Sequence, residues 1–408
     1  MVELIFITVR ILLLSDIHTG FQSGFPDIWI KNESTENKPD DNSLEDDLLL
    51  KLKEIRSIDY LIITGDLTSS GYFNEFKMVK ELIDKISKTI NIDKNKIFVT
   101  PGNHDLNRHI IDLCKIDQDN PDIYRDLNFR LFPEKDQTDG KTKYGIIPHS
   151  YVYNDDKVQI IQLNSISCIT KEGQDRGEIG NKQYSWLKEI LTDDLSNQYR
   201  IIIFHHHHLR NDPRPIIPDL SVMIDGPRLH NLIKEKGADL VIHGHKHIPF
   251  MITIHENDMV HPYTRICSGS LSVHSKYRNM GNAPNYFHII NIEGRCDKTK
   301  AIKGFVNSYS RRYKGQWDIP TWSSDEYIHP IQFFGPLFSK EETIKEIEQF
   351  ILSQKHLNII LLPKYQKIPD SFKCWNVIKL NSFIKEIAKE KDMVMIGEYP
   401  TDVYLKKK

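Results

Sequence analysis

Short apolar runs that each end in polar residues are the feature of this sequence that most restricts its fold. They occupy residues 11–14, 60–64, 96–100, 158–163, 200–204 and 239–242. Continuous apolar runs of this length predict strands buried on both faces of a sheet. Between them, residues 46–55, 73–90 and 181–191 have the three- and four-residue apolar spacing of helices. Alternating strands and helices predict a layered α/β architecture.

After residue 247 the pattern changes to strands that follow one another with turns between them. Their predicted positions are 251–255, 264–268, 286–292 and 302–308. We expect these strands to form a second sheet that finishes a sandwich. The predicted fold is therefore α/β, with two packed sheets flanked by helices in four αββα layers, ending near residue 325.

A domain boundary is predicted in the stretch 320–330, which contains two prolines and a tryptophan. It divides the chain into a domain of residues 1–325 and a small C-terminal α/β module of residues 326–408. In the module we expect a helix at 340–352, strands at 357–362 and 377–380, and a helix at 382–389. Two long stretches, 20–43 and 106–150, interrupt the larger domain, and loops of this size usually carry function or specificity.

The composition is that of a globular protein and limits the classes of partner. Hydrophobic residues are 39% of the chain, charged residues are 27%, and the formal net charge is −2. A chain with this charge has no overall positive field that would attract nucleic acid, so a nucleic-acid substrate is disfavoured. A local stripe of basic residues that binds nucleic acid is still compatible with the composition.

The apolar N-terminus is interrupted by Glu3 and Arg10 and is too short to span a membrane. Five scattered cysteines without a C-x-x-C pair predict a cytoplasmic protein.

Side chains able to bind metal follow the predicted strands at the points where those strands end. They occur in S-D-I-H-T-G, T-G-D-L-T, T-P-G-N-H-D, a run of four histidines and I-H-G-H-K-H-I. The residues are Asp16, His18, Asp66, Asn103, His104, Asp105, His205, His206, His207, His208, His243, His245 and His247. Taken singly, the aspartates and the asparagine would be ordinary turn residues. As an ordered set at the carboxyl ends of strands, they predict a single crevice.

The types and spacing of these residues indicate which metals would bind. Carboxylates together with imidazoles suit Mn²⁺, Fe²⁺ or Zn²⁺ better than Mg²⁺ or Ca²⁺. The i, i+2 spacing of Asp16 and His18, and of His245 and His247, places each pair on one side of an extended segment. A lone carboxylate such as Asp66 can bridge two ions, and two ions can clamp a phosphoryl group.

In this order, the motifs resemble the signature D-x-H, G-D, G-N-H-D/E, H and G-H-x-H of the calcineurin-like metallophosphoesterase family. The resemblance extends to G-E-I-G-N-K-Q-Y-S-W-L-K before the histidine strand and to C-S-G-S after the last motif. It covers roughly residues 10–325. Five motifs in order, each after a predicted strand, are far more specific than any one of them.

The resemblance implies a dinuclear centre with a role for each motif residue. A first divalent ion would be held by Asp16, His18 and His247, and a second by Asn103, His205 and His245, with Asp66 bridging. In the histidine run the first residue is favoured as ligand, with His206 as the alternative. His104 would contact the phosphate and protonate the leaving oxygen, with Asp105 orienting it. The family motif does not require His243, which we expect to pack in the core or to support the ligands.

The function that the resemblance implies is hydrolysis of a phosphate ester by a metal-held hydroxide. The substrate would be a phosphorylated small molecule, either a phosphodiester such as a cyclic nucleotide or a phosphomonoester. A nuclease of the same superfamily is one alternative. Another is a scaffold or an effector subunit, in which residues 326–408 bind a protein partner. The fold alone does not choose among these substrates.

Overall fold

The computed structural model gives the positions of most of the chain. The described residues are 9–25, 27–29, 43–55, 57–107, 141–145, 149–167, 176–191, 198–210, 221–256, 258–274, 284–296, 299–311, 317–318, 328, 330–335, 338–364, 368–373, 375, 377–399 and 401–408. Most of the predicted loops 20–43 and 106–150, and most of the predicted boundary at 320–330, lie outside these residues. Among the described residues, no helix is long and apolar enough to cross a membrane.

Strands and helices alternate through the first part of the chain, as predicted. The strands are β1 (Val9–Leu14), β2 (Tyr60–Thr64), β3 (Ile97–Thr100), β4 (Thr142–Tyr144), β5 (Tyr151–Asn154), β6 (Val158–Gln162), β7 (Tyr199–Ile203), β8 (Leu240–His243), β9 (Phe250–Ile254), β10 (Tyr263–Cys267), β11 (Asn285–Arg295), β12 (Ile302–Arg311), β13 (Ile331–Phe334), β14 (Ile359–Leu361), β15 (Met393–Ile396) and β16 (Tyr404–Lys407). The helices are α1 (Leu44–Glu54), α2 (Phe73–Thr89), α3 (Gly180–Ile190), α4 (Gly226–Lys236), α5 (Lys340–Ser353), α6 (Asp370–Lys373) and α7 (Val377–Glu390).

Two sheets form the centre of the fold. The first has six strands in the order β13-β12-β11-β1-β2-β3, and the second has seven in the order β4-β5-β6-β7-β8-β10-β9. Strands β1, β2 and β3 run parallel, as do β6, β7, β8 and β10. The carboxyl ends of these parallel strands therefore lie at one edge of each sheet.

Successive side chains of each buried strand point to opposite faces of its sheet, so each sheet packs against a different layer on each face. In β1, Ile11 and Leu13 point into a core shared with Ile201 and Ile242 of the second sheet. The alternate residues of the first sheet pack against α1 and α2 in a separate buried cluster. On the far side, α3 and α4 bury Trp186, Leu229 and other apolar residues against the second sheet. The four-layer αββα sandwich is thus confirmed.

The predicted distribution of the later strands is wrong. All four were expected in one closing sheet, but they divide between the two. Strands β9 and β10 extend the second sheet, where β10 pairs in parallel with β8. Strands β11 and β12 extend the first sheet, because β11 pairs antiparallel with β1, from Val9 with Ile292 to Leu13 with His288, and β12 pairs antiparallel with β11. Long-range pairing decides the sheet to which a strand belongs, and local sequence patterns do not encode it.

The C-terminal residues form a three-stranded sheet, in the order β14-β16-β15, covered by helices around a core of their own. Helix α5 and strand β14 match their predicted positions. The strand predicted at 377–380 is wrong, because these residues begin α7, which runs on through the predicted helix at 382–389. Strand β13 pairs with β12 of the first sheet, and its Phe333 packs in the C-terminal core. The division at residues 325 and 326 stays a prediction.

Candidate metal centre

The predicted ligands come together where five parallel strands end. Each strand is followed within a few residues by one or two of them, in the segment that comes directly after the strand. Asp16 and His18 follow β1, Asp66 follows β2, Asn103 lies in a 3-10 turn after β3, His205 follows β7, and His245 and His247 follow β8. All are buried except His245 and His247, which are partly buried. The structure therefore brings all seven predicted ligands to one place.

The backbone at this edge adopts conformations that side-chain-bearing residues rarely take. Five of the seven predicted ligands have left-handed backbone angles: Asp16 (φ 50°), His18 (49°), Asp66 (47°), His245 (82°) and His247 (60°). Such conformations are uncommon outside glycine, and each costs of the order of 1–3 kcal/mol. Their concentration here indicates that the fold stabilises a functional arrangement of these side chains at a local energetic cost.

One group of donor atoms surrounds the side chain of His18. Its Nε2 lies 3.0 Å from Nε2 of His247, 3.9 Å from Oδ1 of Asp16 and 3.6 Å from Oδ2 of Asp66. The His247 nitrogen is also 3.5 Å from Asp16 Oδ1. Two imidazoles and two carboxylates with their donor atoms directed at one another form a set suited to a borderline divalent cation.

A second group lies on the other side of Asp66. The Nε2 atom of His205 is 3.2 Å from Asn103 Oδ1 and 3.2 Å from Asp66 Oδ2. His245 Nδ1 is 3.1 Å from the same asparagine oxygen and 3.2 Å from His205 Nε2. Asp66 Oδ2 therefore contacts both groups, which is the position that a bridging ligand requires.

Neighbouring residues fix the orientation of these side chains. The Asp16 carboxylate accepts hydrogen bonds from Ser15 Oγ at 2.5 Å and from the backbone N–H of His245 at 3.1 Å. His205 Nδ1 contacts the carbonyl oxygen of Thr64 at 2.7 Å, which directs Nε2 into the centre. Supporting contacts of this kind normally orient metal ligands. The sequence analysis missed Ser15 and Thr64, although Ser15 directly precedes the first motif aspartate.

Two motif glycines are required because other groups approach them closely. A Cβ on Gly102 would lie 2.3 Å from the backbone nitrogen and Oδ1 of Asp66. Gly65 has a φ of +87°, and a Cβ there would lie 2.6 Å from Nδ1 of His205. Any side chain at either position would therefore displace Asp66 or His205.

Burial controls the ionisation of the donors. It raises the pKa of Asp16 to about 7, with the nearby Asp66 carboxylate adding to the effect. Burial also lowers the pKa of His18 and of His245 well below the ordinary value, and neighbouring imidazoles contribute. Neutral imidazoles are the form that binds a metal, and a bound cation favours the ionised carboxylate. The residues present therefore fit divalent cations.

His104 lies beside the donor groups and has different partners. Its ring is 4.8 Å from the His18 ring, centroid to centroid, and its Nδ1 is 3.1 Å from the carbonyl oxygen of Ser69. It lines a cleft of about 280 Å³ together with Phe21, Tyr72, Asn107 and other residues. A histidine at the wall of a cleft can contact a substrate that enters it.

The predicted contact of Asp105 with the His104 ring is wrong. The Asp105 carboxylate accepts hydrogen bonds at 2.9 Å from the backbone N–H groups of Leu67, Thr68 and Gly102. Its only side-chain partner among the described residues is the Thr68 hydroxyl. Asp105 therefore holds together the loops that follow β2 and β3, because unpaired N–H groups there would be costly when buried.

The histidine run divides into residues with different surroundings. His205 contacts Asn103 and Asp66, and donor atoms of His205, His206 and His245 all lie within 4.8 Å of one another. The choice of His205 as the ligand, with His206 as the alternative, stays a prediction. His206 Nδ1 is 2.9 Å from Ser165 Oγ, and its ring lies 4.5 Å from that of His245, centroid to centroid. His208 Nε2 is 3.0 Å from the hydroxyl of Tyr263 and points away from the centre.

A comparison of the whole sequence with protein families identifies its relatives. Residues 9–249 match the sequence model of the family described as calcineurin-like phosphoesterase. This chain belongs to that family. The resemblance predicted from the five motifs is confirmed, and the matched region ends shortly after the last of them.

Two curated relatives match at low identity. One is the uncharacterized metallophosphoesterase-like protein YydB of Bacillus subtilis, 24% identical over 284 residues, which are 64% of this chain and 53% of the relative. The other is named "Probable cyclic nucleotide phosphodiesterase" of Rhodococcus erythropolis, 27% identical over 192 residues, 46% of this chain and 51% of the relative. This chain thus spans about half the length of the curated relatives it matches.

Among solved structures, the purple acid phosphatase PPD1 of yellow lupin aligns with a TM-score of 0.44 at 13% identity. The alignment covers 76% of this chain and 52% of the phosphatase. A putative 5'-nucleotidase of Staphylococcus aureus aligns with a TM-score of 0.39 at 14% identity, over 78% of this chain and 56% of that protein.

Proposed function

We propose that this chain hydrolyses a phosphate ester of a small molecule, in particular a nucleotide, at a centre for two divalent cations. The observation that carries the proposal is the position of Asp66 Oδ2, which lies 3.6 Å from the donor atom of His18 and 3.2 Å from that of His205. One carboxylate between two groups of donors suits a pair of cations that share it.

The cations themselves, Mn²⁺, Fe²⁺ or Zn²⁺, would neutralise the phosphoryl oxygens and activate water at neutral pH when bound. Asp16, His18 and His247 would hold the first cation, and Asn103, His205 and His245 the second. The asparagine oxygen adds no charge to the second group, so the two groups differ in net charge. Asp66 would supply the negative charge that both groups share.

His104 is proposed as the residue that contacts the substrate. Its ring lies next to that of His18, but among the described residues the ring's only hydrogen bond is to the backbone carbonyl of Ser69. His104 therefore belongs to neither group of donor atoms. The ring can therefore contact the phosphate and donate a proton to the leaving oxygen, as a general acid does. Ser69, through its carbonyl oxygen, would fix the ring in place of the predicted Asp105.

The cleft beside His104 supports a nucleotide as substrate. Phe21 and Tyr72 line it, and the Tyr72 side chain is 48% exposed, so a flat ring could stack there. The name of the Rhodococcus relative supports a phosphodiester of this class. A nuclease activity, a cytoplasmic location and a protein partner for residues 326–408 stay predictions.

The proposal is tested with metal-free protein that is reloaded with Mn²⁺. We expect hydrolysis of bis-p-nitrophenyl phosphate and of cyclic nucleotides to rise with metal and to stop in the presence of chelator. Single-stranded DNA and p-nitrophenyl phosphate test the nuclease and monoesterase alternatives. Asp84→Ala, which removes an exposed carboxylate on α2, is the matched control for Asp66→Ala. Absence of metal-dependent hydrolysis of every ester would contradict the proposal.

A further inference from the structure

Beneath the candidate metal centre lies a second set of metal-binding side chains, which the phosphoesterase motifs do not use. It consists of His207, His243 and Cys267, which offer two ring nitrogens and a sulfur that all lie within 4.8 Å of one another. All three side chains are buried, with at most 1% of any of them exposed. We refer to these three residues as the His207 cluster.

The sheet register brings the cluster together. His243 and Cys267 are the last residues of β8 and β10 and are direct partners in this parallel pair. His207 follows β7, the neighbouring strand, and is held by a bridge to Val222. Because backbone pairing fixes all three positions, the donor atoms meet without any flexible loop having to close.

The ring nitrogens of the cluster lack the partners that buried polar groups normally have. Neither ring nitrogen of His207 has a hydrogen bond within the described structure, and Nε2 of His243 has none either. Among the described residues, Cys267 Sγ is within hydrogen-bond distance of two carbonyl oxygens, 3.4 Å from that of Gly244 and 3.6 Å from that of Ser268. A thiol that loses its proton to a metal would give up these weak hydrogen bonds. A buried nitrogen without a hydrogen bond is costly, and a metal ion would satisfy one nitrogen of His207 and Nε2 of His243.

From this geometry we infer that His207, His243 and Cys267 bind a third metal ion, which is Zn²⁺. Two imidazoles and a thiolate form the soft, nitrogen- and sulfur-rich set that selects zinc. The ligands of the candidate centre supply carboxylate and amide oxygens with their imidazoles and contain no sulfur. The two places therefore differ in their donor atoms: the candidate centre suits Mn²⁺, Fe²⁺ or Zn²⁺, whereas the His207 cluster, with its sulfur, favours Zn²⁺.

Charge balance is compatible with a cation in the His207 cluster. Binding would replace the thiol proton of Cys267 by the S–Zn bond, with that proton released to solvent, so a thiolate offsets one of the two charges. The guanidinium of Arg265 keeps its positive charge and opposes a cation, and it is held by hydrogen bonds that it donates to the carbonyl oxygens of Leu209 and Arg210.

Bound zinc would stabilise the catalytic side of the fold. The His207 ring lies 6.0 Å from the His245 ring, centroid to centroid, and His243 precedes His245 by two residues. A metal joining the ends of β7, β8 and β10 would therefore hold the segments that carry His205 and His245 in place.

Co²⁺ absorption spectroscopy tests the inference directly. Metal-free protein titrated with Co²⁺ should develop a thiolate-to-cobalt charge-transfer band in the near ultraviolet that saturates at one equivalent and is lost when Zn²⁺ is added. Cys267→Ser should abolish the band, while Cys296→Ser, a second buried cysteine, should keep it. Asp66→Ala should also keep it, which separates this site from the proposed phosphoesterase centre.

Two results would overturn the inference. One is a folded wild-type protein that shows no such band, which decides the matter even if Cys267→Ser does not fold. The other is a band that Cys296→Ser removes and Cys267→Ser retains. Elemental analysis should agree with the spectra, with zinc content falling by one equivalent in Cys267→Ser.

Discussion

Asp66 Oδ2 lies 3.2 Å from Nε2 of His205, and both side chains are buried. Burial opposes both charges, yet the Asp66 carboxylate raises the pKa of His205 to about 9. Despite burial, the charges of His205 and His104 hold the pKa of Asp66 well below its ordinary value. Without a cation the two groups therefore favour the imidazolium and carboxylate forms, and a cation that binds to His205 would displace the imidazolium proton.

Replacing Asp66 with Ala should prevent the centre from holding two cations, because the groups around His18 and His205 lose the carboxylate that both contact. The loss of activity should exceed the roughly 10–100-fold effect that is typical of residues supporting a ligand. Metal content and rate are measured on the same sample. Asp84→Ala should match the wild type in metal content and in rate. An Asp66→Ala protein that is active and holds both metals would show that Asp66 is not a bridging ligand.

Replacing His104 with Ala should leave metal content unchanged and lower the rate by about 10²–10⁴-fold, the usual contribution of a general acid. The loss should be largest for leaving groups of high pKa and smallest for activated aryl esters, which barely need protonation. Rates over a series of substituted phenyl esters measure this slope. His255→Ala, which removes an exposed histidine, is the control, and a loss that is equal for every leaving group would exclude the acid role.

Replacing His205 with Ala should weaken metal binding more than replacing His206 with Ala. His205 Nε2 contacts both Asn103 and Asp66, whereas His206 Nδ1 contacts Ser165. Isothermal titration with Mn²⁺ compares the two variants. If His206→Ala loses the second cation and His205→Ala keeps it, the ligand in the histidine run is His206.

The protein should lose stability below about pH 6.5 through His288, a buried residue of β11. Burial lowers its pKa from 6.5 to about 3. The unfolded chain therefore binds a proton that the folded chain does not, and unfolding becomes easier as the pH falls from 6.5 towards 3. Within this range, His288 lowers the free energy of unfolding by up to about 1.4 kcal/mol for each unit by which the pH falls.

Urea unfolding of metal-free protein at several pH values tests the role of His288. His288→Asn should keep a hydrogen bond to Ser308, whose hydroxyl is 2.9 Å from Nδ1, and should show a shallower decline of unfolding free energy with acid. His255→Asn should decline as the wild type does. Equal slopes for His288→Asn and the wild type would show that His288 is not the titrating group.

Local patterns predicted the parts of the fold that depend on local chemistry. The apolar runs identified the buried strands, and the polar residues at their ends identified side chains that the structure brings together, because parallel strands bring their carboxyl ends together. The choice of seven ligands among them came from the family resemblance and stays a prediction. The same patterns missed β16, the central strand of the C-terminal sheet, because its Tyr404–Lys407 sequence is short and ends in two lysines. Pairing with β14 and β15 determines that strand, and pairing is not a local property.

Long-range contacts also explain the wrong strand at 377–380. Asn381 lies between the strand predicted at 377–380 and the helix predicted at 382–389, and asparagine is common at helix boundaries. In the structure its side chain instead bonds to the backbone of Tyr399, 3.0 Å from the oxygen and 2.9 Å from the nitrogen. The helix therefore continues through it. The His207 cluster was missed for a similar reason, because only the β8–β10 register brings Cys267 next to His243.

The most direct test of the central claim is anomalous diffraction from crystals of the Mn²⁺-loaded protein, recorded on both sides of the manganese absorption edge. The account predicts two anomalous peaks at this centre, roughly 3.5–4 Å apart. The Asp66 carboxylate should contact both, with Asp16, His18 and His247 around one and Asn103, His205 and His245 around the other. A single peak, or two peaks that do not share Asp66, would contradict the dinuclear centre.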